Sequence, residues 1–173
     1  MKRFLTVAAG AACMALSTGA FAQFGGTHTM DATPYQFNVR GGILVPFDSD
    51  LRDLSDVWGA IGLDYRFSKS LLKDGETYAS FDWMGRSLDG QPYNVFPLML
   101  NQKFAMEDGQ NYTFVGLGVI FFDGGPSDSV FGGRIGAGRM LNASTFVEAA
   151  LVLSGEAGTR NPSNVGVYLG YRF

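Results

Sequence analysis

Seven charged side chains stand in places that call for chemistry: Arg40, Asp64, Arg66, Asp82, Arg134, Glu148 and Arg172. Each interrupts a stretch in which apolar residues alternate with small or polar ones, and each falls on the side opposite the main apolar set. Isolated ions gathered on one enclosed face are costly unless they pair, so a mutual ion network is expected. The usual nucleophilic groups are scarce. The chain has one histidine, His28, and one cysteine, Cys13, both ahead of the first alternating segment. A nucleophile–His–acid triad would depend on His28 alone. The run from Gly132 to Gly138 lacks the Gly-Lys-Ser/Thr ending and the following helix that a phosphate loop needs. Asp48, Asp50, Asp53 and Asp56 cluster, but Arg52 stands where a calcium loop would place a ligand and no glutamate closes the set. A solvated acidic loop is the expectation there, with no metal and no cofactor.

The elements that must hold the seven charges have a period of two, the mark of a strand with two unlike faces. Val165, Val167, Leu169, Tyr171 and Phe173 share one face of the last segment, opposite Gly166, Tyr168, Gly170 and Arg172. The same alternation runs through Phe37–Val45, Val57–Phe67, Thr77–Met84, Tyr93–Phe104, Tyr112–Phe122, Val130–Leu141 and Thr145–Ser154. Eight strands of about 8–12 residues suit a tilted membrane crossing of about 9–11 residues. Connectors rich in Gly, Asp, Asn, Pro and Ser separate them. The fourth segment is set with Phe96, Leu98 and Leu100 on its apolar face.

The chain begins with an export pattern. Met1-Lys2-Arg3 is a positive start, Phe4 to Leu16 is apolar apart from Thr6 and Gly10, and Ala20-Phe21-Ala22 offers a small-residue cleavage site. The run is too short to span a membrane as a helix. Gly10, three places before Cys13, is wrong for a lipoprotein signal. The expected layout is a signal peptide at 1–22, a periplasmic lead-in at 23–34 and a barrel at 35–173. Loss of Lys2 and Arg3 takes the net charge of −3 to about −5, which argues against nucleic acid as a partner. The mature part would carry no cysteine and hence no disulfide.

Alternation alone fits a soluble barrel as well as a membrane one. The minor face separates them. It holds glycines and single charges rather than the Lys, Glu, Thr and Ser of a water-facing sheet. Glycine weakens a strand unless its position is crowded, as it is in the lumen of an eight-stranded barrel. With both termini on the periplasmic side, Tyr35, Phe37, Tyr65, Phe67, Phe104, Tyr112, Tyr171 and Phe173 gather near one rim. Phe47, Trp58, Trp83, Tyr93, Phe96, Phe121, Phe122 and Phe131 gather near the other, as two interfacial belts would.

The signal peptide, the eight alternating strands and the ending Gly166 to Phe173 resemble the small outer-membrane barrels of the OmpA transmembrane-domain and OmpX kind. The resemblance implies an all-β, eight-stranded antiparallel up-and-down transmembrane barrel in the bacterial outer membrane. It also implies that Val167, Leu169, Tyr171 and Phe173 form the signal read by the barrel-assembly machinery. The fold hosts many activities. Some barrels of this size resemble lipid deacylases with a Ser–His–acid set, but His28 falls at the periplasmic end, away from outer-leaflet lipid.

The expected function is therefore non-enzymatic. It is an envelope-structural or surface-interaction role, for a monomer whose lumen is plugged by the inward ions. A narrow channel for ions or small solutes is the alternative. Arg52, Arg86 and Arg160 fall in three of the four expected outer loops, each of about 6–10 residues. There they are placed to pair with lipopolysaccharide phosphates. Lipid and lipopolysaccharide are the expected partners.

Overall fold

The computed structural model describes residues 36–67, 70–72, 75–88, 91–123, 128–156 and 160–173. The signal peptide, the lead-in and His28 lie outside the described residues. Eight strands close into one barrel: β1 (Phe37–Pro46), β2 (Trp58–Arg66), β3 (Glu76–Leu88), β4 (Gln91–Ala105), β5 (Asn111–Asp123), β6 (Asp128–Met140), β7 (Thr145–Ser154) and β8 (Asn164–Arg172). Every strand pairs antiparallel with its sequence neighbours, and β1 with β8 completes the circle. Closure pairs both edges of every strand, which hydrocarbon demands of a sheet.

The ladder fixes the width of the lumen. Arg66 N donates to Gln36 O. From Arg66 the pairing runs through Tyr78, Asn101, Gly116, Arg134, Val152 and Asn164 and returns at Pro46, ten residues further along the first strand. With strands about 4.8 Å apart and a rise of about 3.3 Å, that stagger tilts them by about 40°. An eight-stranded wall at that tilt has room inside for packed side chains and little else.

The two faces fall where the alternation places them. Ile43, Ile61, Phe81, Leu98, Leu117, Phe131, Leu153 and Leu169 face outward, while Arg40, Trp58, Asp82, Met99, Phe114, Arg134, Glu148 and Tyr168 are buried inside. Phe96, Leu98 and Leu100 share the outward face of β4, opposite buried Val95 and Met99.

The aromatic belts are less complete than the sequence suggests. Phe37, Tyr65, Phe67, Tyr171 and Phe173 are exposed at the rim that holds the chain termini. Tyr65 packs against Phe37 and Phe67 with ring centres 5.2 and 5.6 Å apart. Near the opposite, loop-bearing rim the exposed rings are Phe47, Trp83, Phe121 and Phe131, with Phe96 stacked on Phe81. Tyr112, Trp58 and Phe122 are instead buried in the lumen. Their parity is that of the inward residues of β5 and β2, and in an up-and-down barrel parity decides the face.

Two connections also differ from expectation. β3 runs to Leu88 and β4 starts at Gln91, so that hairpin is tighter than the expected loop. The β1–β2 connection carries a short helix, α1 (Ser49–Leu54). The Asp48 carboxylate caps it by accepting from Asp50 N at 2.9 Å and Leu51 N at 3.2 Å, the usual service of an Asp at this position. At the terminal rim, Gly109 takes φ +65° in the β4–β5 turn, which glycine adopts freely. Asp108 accepts backbone hydrogen bonds from Asn111 and Gln110, which hold its carboxyl below the usual range. That contribution to the turn is present above the ordinary Asp pKa and is lost as pH falls through the lowered one.

Candidate functional site in the barrel lumen

Five of the seven expected ions meet at mid-height in the lumen. Arg40 on β1 is the hub. Its Nη1 donates to both oxygens of Asp64 at 2.7 and 2.9 Å, and its Nη2 to both oxygens of Asp82 at 2.7 and 2.9 Å. Glu148 Oε2 lies 3.6 Å from the same Nη1. Arg134 donates from Nη1 to Asp82 at 3.2 Å and from Nη2 to the Tyr78 hydroxyl at 3.1 Å. The Tyr112 hydroxyl donates to Glu148 at 3.0 Å. Arg40, Asp64, Asp82, Arg134 and Glu148 are all at most 5% exposed. The two guanidinium planes also lie over rings, Arg40 over Tyr168 at 5.5 Å and Arg134 over Phe114 at 4.9 Å.

Register explains the meeting. Arg40 pairs across the ladder with Gly62, and Gly62 with Asp82, so the three lie in one row. A Cβ at Gly62 would stand 2.1 Å from Asp82 Oδ1 and 2.8 Å from Arg40 Nε. The glycine is what lets the guanidinium reach the carboxylate across β2. Phe146 fills the space in front of Gly170, and Phe114 that in front of Gly136, in the same way.

Arg66 and Arg172 do not join the hub. Both belong to the terminal rim, at the far ends of their strands. Arg66 pairs with Glu76 at 2.9 Å, and Glu76 also meets Lys103 at 3.3 Å. Lys103 is 6% exposed and sits over the Tyr112 ring at 4.7 Å. Arg172 lies over Phe146 at 6.0 Å. Glu76 and Lys103 are thus lumen ions beyond the expected seven, Tyr112 lines the lumen instead of the outer belt, and Tyr78 lies on the Asp82 face where the alternation places it. Parity marks all four: Glu76 and Tyr78 share it with Asp82, Tyr112 with Gly116, and Lys103 with Met99.

The loop-side half of the lumen is mainly apolar, with Asn164 of β8 buried in it at 3% exposure and its Nδ2 3.6 Å from the Met84 sulfur. Leu44, Trp58, Met84, Val95, Ile120, Phe122 and Val152 are each at most 4% exposed, and Leu51 of α1 joins them at 1%. α1 is pinned in place. Asp48 Oδ2 accepts from Asn161 N at 2.9 Å, Phe47 N donates to Ser163 O at 2.9 Å, and Trp58 Nε1 donates to Ser55 O at 3.2 Å. The first loop is thereby tied to the last one, with a leucine seated in the barrel mouth.

The three arginines assigned to outer loops have different settings. Arg52 lies in the last turn of α1. Arg86 is a ladder residue of β3, paired with Tyr93, because the β3–β4 hairpin extends past it. Arg160 follows β7 and stacks over Tyr93 at 4.9 Å. Val167, Leu169, Tyr171 and Phe173 form the outward face of β8, and Phe173 N donates to Phe37 O at 3.0 Å. Among the described residues no cluster of three or more His, Cys, Asp or Glu side chains could hold a metal ion.

No protein-family model matches the chain, and no curated protein sequence matches it. Solved structures do. The Yersinia pestis attachment invasion locus protein Ail superposes with a TM-score of 0.59 at 13% identity, over 82% of this chain and 100% of that one. The N-terminal β-barrel domain of Pseudomonas aeruginosa OprF gives 0.58 at 11%, over 80% and 98%. A de novo designed transmembrane β-barrel gives 0.51 at 8%, over 82% and 98%. The last match carries the lesson: barrel geometry is shared by a chain with no evolved activity, so the likeness speaks for the fold and not for a role. The chain has the fold of the small eight-stranded outer-membrane barrels.

Proposed function

We propose that the protein is a non-enzymatic outer-membrane barrel, exported by residues 1–22, that serves the envelope as a rigid monomeric scaffold with a lumen closed to ions. The observation that carries this reading is the vertical order of the lumen. A mainly apolar layer from Leu44 to Val152, with Asn164 among it, fills the loop side, and the Arg40 hub lies beneath it. An ion entering from the loop side would lose its hydration among apolar side chains. One entering from the terminal side would meet Arg40 already shared by three carboxylates. The seal thus has two parts, and the apolar part supplements the ionic plug expected from sequence. Reconstitution in planar bilayers is expected to give no unitary conductance. Stable, reproducible channel steps from the wild-type protein would instead establish the narrow-channel reading.

The loop rim supplies the surface role. Arg52 and Arg160 stand near the mouth, and Arg86 near the end of β3, where lipopolysaccharide phosphates would lie. Replacing all three with Gln is expected to lower the lipopolysaccharide that co-purifies with the barrel several-fold. Retention equal to wild type would remove this part of the reading.

A further inference from the structure

In the connection from β2 to β3, residues 70–72 and Gly75 lie over the outside of the wall. Thr77 on β3 and Gln102 on β4 pair across the ladder, with the outward parity of Phe81 and Leu100. Their lipid-facing neighbours Phe81 and Leu100 are 48% and 46% exposed, yet Thr77 and Gln102 are 2% and 8% exposed. The turn covers them. Leu71 N donates to Thr77 Oγ1 at 2.7 Å, Thr77 Oγ1 donates to Gln102 Oε1 at 2.6 Å, and Gln102 Nε2 donates to Ser70 Oγ at 3.0 Å. Gly75 lies so flat on β4 that a Cβ there would stand 2.3 Å from Gln102 Nε2 and 2.4 Å from Lys103 O. Two polar side chains on the outer wall thus have their hydrogen bonds met by the turn, as groups turned toward hydrocarbon require.

What the turn offers in their place is apolar. Leu71 is 71% exposed and Leu72 53%. A connector in water is ordinarily built of polar residues and turn formers, whereas this one carries two adjacent leucines, and Thr77 accepts from the backbone of both Leu71 and Phe67, itself 41% exposed in the terminal-rim girdle. The strong aromatic girdle of that rim lies on β8, β1 and β2, while β3 has only Thr77 and Ala79 at the same end. The turn occupies that gap. In the sequence Lys69 and Lys73 flank the two leucines.

We infer that this turn is an interfacial anchor whose Leu71 and Leu72 insert among the acyl chains of the phospholipid leaflet at the terminal rim. The inference rests on the lipid-facing reading of the wall and extends it to a connector. Apolar side chains on a surface element reach about 5–10 Å into the headgroup–acyl boundary. That depth suits leucines level with Phe67.

The test uses the full-length protein carrying Cys13→Ser, with single cysteines placed by Leu71→Cys, Leu72→Cys, Leu98→Cys or Asp108→Cys. Each is labelled with an environment-sensitive fluorophore in phosphatidylcholine–phosphatidylglycerol vesicles. Probes at 71 and 72 are expected to be quenched by lipids brominated near the headgroup. Their quenching by aqueous iodide should be about fivefold or more weaker than at 108, as burial at the headgroup boundary implies. Iodide quenching at 71 and 72 equal to that at 108, with 98 still protected, overturns the anchor. Exposure at 98 as well would overturn the lipid-facing wall itself, a separate result.

Discussion

Arg40→Leu is expected to lower the stability of the folded barrel by about 3–5 kcal/mol, the range for breaking a buried ion pair from one side. Removing the hub leaves Asp64 with no direct partner, Asp82 with Arg134 alone and Glu148 with the Tyr112 hydroxyl alone. The central group already sets two guanidiniums against three carboxylates. The single substitution doubles that excess of negative charge in a place that water reaches poorly. Arg40→Leu with Asp64→Leu removes one charge of each sign. It keeps the Arg134–Asp82 and Tyr112–Glu148 contacts, so it is expected to recover more than half of the loss. Urea unfolding of the vesicle-reconstituted protein measures both. Heat-dependent gel mobility confirms that each variant starts folded. A loss below about 1 kcal/mol for Arg40→Leu, in the range of a surface pair, would mean that water hydrates the carboxylates and that the lumen is not closed.

The hub was legible in the sequence because strand parity is a local property. Any residue two, four or six places from Val39 or Ile61 must share its face, so Arg40, Asp64, Asp82, Arg134 and Glu148 could be turned inward without knowing which strands touch. Partner choice was not legible, because it depends on stagger. Arg66 and Arg172 have the same parity as the hub residues but stand at the ends of their strands, and the tilt of the ladder carries them to the rim. Glu76 does not stand out because it directly follows the Asp74-Gly75 turn signal, and a carboxylate beside a turn reads as solvent-facing. The seat of Leu51 could not be seen at all. Nothing local tells a leucine in an acidic loop that it will close a barrel mouth, since the cluster it joins includes Ile120, Phe122 and Val152, on distant stretches of chain. The turn over Thr77 and Gln102 was hidden for the same reason.

Trp58→Ala is the sharper probe of the loop-side half and is expected to cost about 3–5 kcal/mol, the range for emptying the site of a large buried aromatic. Trp58 is 2% exposed among Leu44, Leu51, Met84 and Ile120, and its Nε1 holds Ser55 O at the end of α1. Truncation removes the ring's packing and the bond that pins the helix over the mouth. The size of the loss reports on the state of the lumen. In a dry, mainly apolar layer the vacated volume has little polar lining to hold water, so most of the transfer and cavity cost is paid. In a hydrated channel, water already wets the ring and fills the gap, and the cost falls to about 1 kcal/mol or less, as for surface changes. Conductance supplies the second readout. If each layer seals by itself, Trp58→Ala and Arg40→Leu with Asp64→Leu should each stay silent, and only the three substitutions together should leak ions. Leak from the Arg40 and Asp64 variant with silence from Trp58→Ala would place the seal in the ions and not in the greasy layer above them.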